Sequence, residues 1–250
     1  MTKYDYTFKK ISRKIYNDCI FDADARKALA LLIFVKSKKK TGVIANYTHD
    51  KLVKLTGGNI SKSTIKKRIK KLAEMELVQR VGNNLHFVRI RAPKSNINIQ
   101  KLDTTSVKTI ELGLKALYIV EIQNRKEYVK QRFNRAKELE RKPFLTKKEF
   151  KEFIKERKFC TQCGFTHFED NGISVKKIAK DLKVSNQEVL KIIKYGEKQK
   201  MFIRKKLISQ QYGEVENASA YVNYSGLNVF TTKHNTYVYG YSCSRYILCK

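Results

Sequence analysis

The stretch from residue 48 to residue 80 recurs, in muted form, from residue 174 to residue 204. Sliding the chain by 124 positions lays Ser61 on Ser185, Ile65 on Val189, Ile69 on Ile193, Leu77 on Met201 and Arg80 on Arg204 without a gap. The segments just upstream follow, Thr48 on Ser174 and Leu52 on Ile178, once two residues are dropped from the turn between them. Each copy reads as a short helix, a turn, a second helix and a strand. A chain built this way must bury two equivalent apolar stripes, and its two outward faces then invite comparison.

At 100° per residue, Ile65, Ile69 and Leu72 share one face of the longer helix in the first copy. The opposite face carries Ser63, Lys66, Lys67, Lys70 and Lys71. In the second copy Val189, Ile192 and Ile193 turn inward and leave Gln187, Lys191, Lys194 and Lys198 outside. Lys67 falls on Lys191 and Lys70 on Lys194, so the exposed charge repeats along with the buried pattern. Serine opens both helices. Ser185 with Glu188 has the spacing of a capping box, in which the serine hydroxyl and the glutamate carboxylate satisfy backbone N–H groups reciprocally.

The remaining pattern is mostly helical. Residues 1–20 read as a basic arm or short helix, and 22–40 as a helix capped by Asp22 that buries Ala25, Leu29, Leu32 and either Ile33 or Val35 along one face. Residues 42–48 suggest a short strand. The helix opened by Thr48 stops at Gly57 and Gly58, and the two apolar runs within 77–90, joined by Gly82-Asn83-Asn84, signal a hairpin. After a connector at 91–106, a helix is expected over 108–142, ended by Pro143. Its Arg125, Lys126, Lys130, Arg132, Arg135 and Lys137 accompany Leu114, Leu117, Tyr118, Val120, Ile122, Val129 and Phe133, a mixture suited to packing rather than to ligand contact. Thr146 and Glu149 form a second capping box for a helix to about Lys158, with a loop from Cys160 to Gly172. Residues 201–249 read as a tyrosine-rich β region in which Tyr237, Tyr239 and Tyr241 share a face expected to pack on neighbouring helices, with stacking on unpaired bases as the competing reading. The fold class is α+β and predominantly helical, divided as 1–92, a connector and long helix at 93–142, and 143–250.

Charge then selects the partner. The chain has 250 residues, 42% apolar, with 54 Lys plus Arg against 23 Asp plus Glu, a formal net charge of +31. That apolar fraction supports a packed core, so the chain is not a disordered polycation. Cations spread from end to end favour a polyanion, because each phosphate neutralised releases a condensed counterion. Double-stranded DNA is the expected partner, ahead of a membrane surface or a small-molecule substrate. No apolar run reaches the roughly 20 residues of a membrane span, and the first residues lack a signal-peptide pattern, so the cytoplasm is the expected compartment.

Catalysis finds little support. His49, His86, His167 and His234 are too scattered for a metal-dependent nickase, no G-x-x-x-x-G-K-[ST] phosphate loop is present, and no carboxylate cluster suggests a two-metal nuclease. The chain is expected to be neither an enzyme nor cofactor-dependent. Cys160, Cys163 and His167 resemble half of a zinc site that Cys243 or Cys249 would have to complete; with those two six positions apart on strand and loop, the five cysteines, Cys19 included, read as reduced thiols without metal.

Helix, turn, basic helix and hairpin in this order resemble the winged helix-turn-helix family. "THDKLVKLTGGNISKSTIKKRIKKLAEMELVQRVGNNLHFVRI" covers the whole unit in the first copy, and "SVKKIAKDLKVSNQEVLKIIKYGEKQKMFIRKK" its helical part and first strand in the second. The second copy departs at its wing, where "ISQQYGEVENASAYVNYSGLNVF" is too long for a simple hairpin. Two winged-helix modules joined by a long helix are similar to plasmid and phage replication initiators. The resemblance implies base contacts from Ser63 and Gln187, phosphate contacts from the helix lysines, and backbone or minor-groove contacts from Arg80, Asn83 and Asn84. It also implies a protein that alternates between a repressing homodimer and an origin-opening monomer. A two-module transcription regulator and a basic coating or packaging protein are the competing expectations.

Overall fold

The computed structural model describes residues 10–88, 95–162, 173–208, 227–231, 236–240 and 242–249. Among these the chain is α+β and predominantly helical. It divides into two compact units, the first comprising residues through Tyr118, then Val175–Phe202 and Cys249, and the second Ile119–Ser174 with Ile203–Leu248. These boundaries differ from the expected 1–92, 93–142 and 143–250. The second-copy helices belong with the N-terminal residues because hydrogen bonds and ion pairs from residues 101–118 fasten onto them.

The first unit is built around α2 (Ala23–Lys38). Asp22 caps it, accepting from the backbone N–H groups of Asp24 and Ala25 at 2.8 and 3.2 Å. The periodicity predicts one buried face, but every residue from Ala28 to Val35 is buried. A helix apolar on all sides has to be wrapped by its neighbours, and α1 (Arg13–Ile20) and α4 (Lys62–Glu74) both pack against it. β1 (Lys10–Ser12) leads into α1 and pairs antiparallel with β5 (Asn96–Asn98), Ile11 opposite Ile97.

A three-stranded sheet accompanies the first repeat, in the order β2 (Val43–Ile44), β4 (Asn84–Phe87), β3 (Val78–Val81). The hairpin expected from Gly82-Asn83-Asn84 forms with Val81 opposite Asn84, so Gly82 and Asn83 are its two loop residues. Gly82 takes φ +56°, the left-handed first position of a II′ turn that only glycine adopts without strain.

The repeat persists in backbone geometry. α4 and α8 (Asn186–Lys198) each contain 13 residues and begin after a serine whose hydroxyl accepts from the third residue on, Thr64 N–H at 3.3 Å and Glu188 N–H at 3.1 Å. Both end identically. Leu77 N–H donates to Leu72 carbonyl at 2.8 Å and Met201 N–H to Gly196 carbonyl at 2.9 Å, with Glu76 and Lys200 in the left-handed region at φ +57° and +51°. The shorter helices, α3 (His49–Leu55) and α7 (Val175–Leu182), close with Gly58 N–H on Val53 carbonyl and Val184 N–H on Ala179 carbonyl, both at 3.0 Å. In the second copy the strand β6 (Phe202–Ile208) pairs not with the next strand but with β9 (Ser242–Leu248).

α5 runs unbroken from Val107 to Glu140, and the boundary between the units falls within it. In the second unit its later turns pair with α6 (Lys147–Gln162). Phe133, Ala136 and Cys160 form a small core there with Phe159 against it. The expected loop from Cys160 is therefore helical as far as Gln162, because Cys160 and Phe159 have an apolar surface to cover. Two basic residues of α5 serve this pairing. Arg132 bonds Glu156 with its guanidinium 3.7 Å from the Phe159 ring centre, and Arg135 grips Glu152 through two nitrogens at 2.9 and 3.2 Å. β7 (Leu227–Thr231) and β8 (Thr236–Gly240) pair antiparallel, placing Tyr237 opposite Phe230 and Tyr239 opposite Asn228. Tyr241, Cys163, His167, the first nine residues and the long second wing at 209–226 lie outside the described residues.

Candidate nucleic-acid interface

In α4 the buried side is carried by Ile65 and Leu72, both 0% exposed. Ser63, Lys66, Lys67 and Lys70 are not buried, and the three lysines have no hydrogen bond or ion pair among the described residues. Ser63 sits by the helix start with its hydroxyl 3.1 Å from that of Ser61. α4 is fixed at its N-terminus by Lys62, whose ammonium bonds Asp50 of α3 at 2.8 Å and holds that carboxyl below its usual pKa.

Lys71 is not part of the outward set. It is half-buried and its ammonium lies 3.1 Å from Asp22, the carboxylate that caps α2. That hydrogen bond raises the lysine pKa, while Asp22 is lowered first by the Ala25 N–H and then by Lys71. Helical periodicity places Lys71 at the margin of the polar face, and the nearby carboxylate draws it toward α2.

At the hairpin, Arg80 and Asn83 are exposed, and Arg80 Nε donates to the Gly82 carbonyl at 3.3 Å, which stiffens the tip. Asn84 is half-buried and its side-chain oxygen accepts from Asn46 N–H at 3.0 Å. The Asn83 carbonyl accepts from Tyr47 N–H at 2.7 Å. Asn84 thus holds the connector between β2 and α3, with only part of its amide left for a ligand.

In α8, Val189, Ile192 and Ile193 are buried, and Gln187, Lys191, Lys194 and Lys198 are all exposed. These three lysines also have no partner among the described residues. The expected reciprocal capping box is only half made. Ser185 accepts from Glu188 N–H, but the Glu188 carboxylate turns to Lys115 of α5, an ion pair of 2.5 Å.

Sequence reasoning missed Lys27 and Arg68. Both border a cleft of about 620 Å³ between the start of α2 and α4, which Lys67, Lys70 and Lys71 also line. Lys27 lies on a helix read as core, and Arg68 projects from the margin of the buried side of α4. The available signal was the internal repeat, which sets Arg68 against the apolar Ile192.

Among the described residues no helix is long and apolar enough to cross a membrane, and no cluster of three metal-ligating side chains occurs. No family profile, curated protein or solved structure matches the chain.

Proposed function

We propose that the protein binds double-stranded DNA sequence-specifically through two winged-helix-like elements and acts as a replication initiator of a plasmid or phage. One observation carries this reading: two helices with the same length, the same serine cap and the same left-handed exit each present three lysines that nothing else in the described protein neutralises. Such a helix fits a major groove about 12 Å wide, with lysines reaching phosphates and Ser63 or Gln187 near base edges. The order α2, β2, α3, α4, hairpin, with β4 between β2 and β3, further supports a winged-helix reading of the first copy. Arg80 and Asn83 at the hairpin tip then reach the adjoining backbone. For the second copy the support is the helix pair alone, since β6 finds its partner in β9.

The test pairs Lys67→Ala/Lys70→Ala with Lys191→Ala/Lys194→Ala on duplexes selected from a DNA pool. Each double variant should weaken binding and reduce the salt slope by about 0.9 for every phosphate that is no longer neutralised. Unchanged affinity and slope in both would remove the proposal. Opening of a repeated AT-rich duplex, read with a single-strand-specific nuclease, supports initiation. Occupancy of a palindrome without opening assigns a transcription regulator, and equal affinity for scrambled duplexes a packaging protein.

A further inference from the structure

Arg68 is the anomalous cation of the first unit. Its Nε and Nη1 are buried and hydrogen-bonded to nothing among the described residues. Glu111 and Asp24 act on it electrostatically, but it makes an ion pair with neither. Arg26, the other arginine of this core, is better satisfied: its Nη1 donates to the Ile20 carbonyl at 2.6 Å, and its Nε, likewise buried without a hydrogen bond, has the Glu111 carboxylate 3.9 Å away. Lys71, on the next turn of α4, is satisfied by Asp22. At the position matching Arg68 the second copy has Ile192, which is 0% exposed. The scaffold therefore accepts an apolar residue there, and a half-buried guanidinium with two buried nitrogens and no acceptor destabilises it.

The side chain borders a cleft lined by further cations rather than by the acceptors it lacks, and because Nε and Nη1 are closed to solvent in this structure, a ligand meets them only when the guanidinium turns toward the cleft. Lys27 of α2 and Lys67, Lys70 and Lys71 of α4 line it beside Arg68, together with Thr64. Two carboxylates, Asp24 and Glu74, border it as well, so cations outnumber anions by five to two. The space is large enough for a phosphate group, and a planar guanidinium matches two phosphate oxygens at once.

The geometry points to a phosphate site between α2 and α4, in which Arg68, Lys27 and Lys67 seat one backbone phosphate of the bound duplex. This rests on the DNA-binding reading and adds a fixed anchor beside α4. The exposed lysines attract the duplex, whereas a phosphate held by Arg68 sets how far α4 sits along the groove. The second copy, with Ile192, has no such anchor, so the two elements bind unequally.

The experiment is Arg68→Ile, the residue of the second copy, in the full chain, with Arg68→Lys and Lys27→Met beside it. Arg68→Ile should melt at a higher temperature than the unaltered protein, yet bind the selected duplex about tenfold more weakly, with the salt slope reduced by about 0.9 and the sequence preference kept. Lys27→Met should weaken binding in the same direction. Arg68→Lys, which retains charge without the fork, should fall between the two and stands in if the isoleucine variant does not fold. The Arg68 Nε–H resonance should move on adding the duplex at stoichiometric ratio and stay put in micromolar inorganic phosphate. Saturation by inorganic phosphate at that concentration would overturn the duplex as source. Unchanged duplex affinity in Arg68→Ile and Arg68→Lys, with Lys67→Ala/Lys70→Ala still weakened, overturns the anchor and leaves the reading of the helices intact.

Discussion

Residue by residue, the two copies solve one packing problem with different volumes. Leu72 and Val78 fill the space under the helix exit in the first copy, and the matching positions in the second are Gly196 and Phe202. The exchange is enforced by contact, since a Cβ on Gly196 would lie 2.3 Å from the Phe202 ring. Gly196→Ala should therefore destabilise by about 1–3 kcal/mol through overpacking, despite alanine's better helix propensity. Importing the first copy's pair, Gly196→Leu with Phe202→Val, should recover much of the loss that Gly196→Leu alone inflicts. Urea denaturation of the single and double variants measures this, and strictly additive losses would refute the swap. A small residue set against a ring is visible in the repeat only once the partner is known. The sequence therefore exposed the shared spacing of Ile65 with Val189 and Ile69 with Ile193, but not this exchange. Arg68 opposite Ile192 lay in the same alignment and went unread, because a lone cation at a buried position shows its consequence only once its surroundings are known.

Among the elements, helix starts were the most readable feature because the groups that cap them are local. Asp22, Thr48, Ser61 and Ser185 all accept from the backbone they precede. The box at α6 is complete: Thr146 N–H donates to Glu149 at 3.0 Å while Glu149 N–H donates to Thr146 Oγ1 at 3.3 Å. The bond that Lys142 donates to that carboxylate is the largest cause, and with those from Thr146 it brings the Glu149 pKa down to about 2, against 4.5 ordinarily. A carboxyl whose pKa is lowered by folding stabilises the folded state above pH 4.5, and that contribution is lost as the pH falls through about 2. A carbon-detected titration should place the Glu149 midpoint at about 2 in the native protein and near its ordinary value in Lys142→Met/Thr146→Val. A native midpoint in the ordinary carboxylate range would show that the box is not held in solution. The half-made box of α8 was not readable, since nothing within α8 announces that Glu188 has a partner on α5. α2 carried a clearer signal that single-face reasoning overrode: eight consecutive apolar residues from Ala28 to Val35 describe a wrapped helix rather than a half-exposed one.

At the scale of the molecule, the first unit is assembled from segments that the chain leaves and rejoins, and polar links made by residues 101–118 close it. Tyr118 donates to Asp181 of α7 at 2.6 Å, Tyr195 of α8 accepts from Asp103 N–H at 3.0 Å, and Lys101 donates to the carbonyls of Lys200 and Cys249 at 2.7 Å each. Sequence periodicity sees each helix separately, so it divides the chain at the connector, whereas these links cross at least 63 positions. Lys115 is the innermost of them, its side chain 8% exposed between Glu111 at 3.1 Å and Glu188 at 2.5 Å. Arg26 leans on the same Glu111 oxygen from α2. Replacing Lys115 by methionine keeps the stem's packing but leaves two carboxylates sharing one arginine. A fully buried pair broken in this way costs about 3–5 kcal/mol, and the 38% exposure of Glu188 reduces the expectation to about 2–3 kcal/mol. The loss should be directional: amide exchange at Ile192 and Ile193 of α8 should accelerate more than at Leu31 and Leu32 of α2. Adding Glu188→Gln should recover part of the stability by removing one stranded charge, which a role in packing alone does not predict. Uniform acceleration across the unit, with no recovery in the double variant, would mean that apolar contacts rather than this charged link seat the second helix pair.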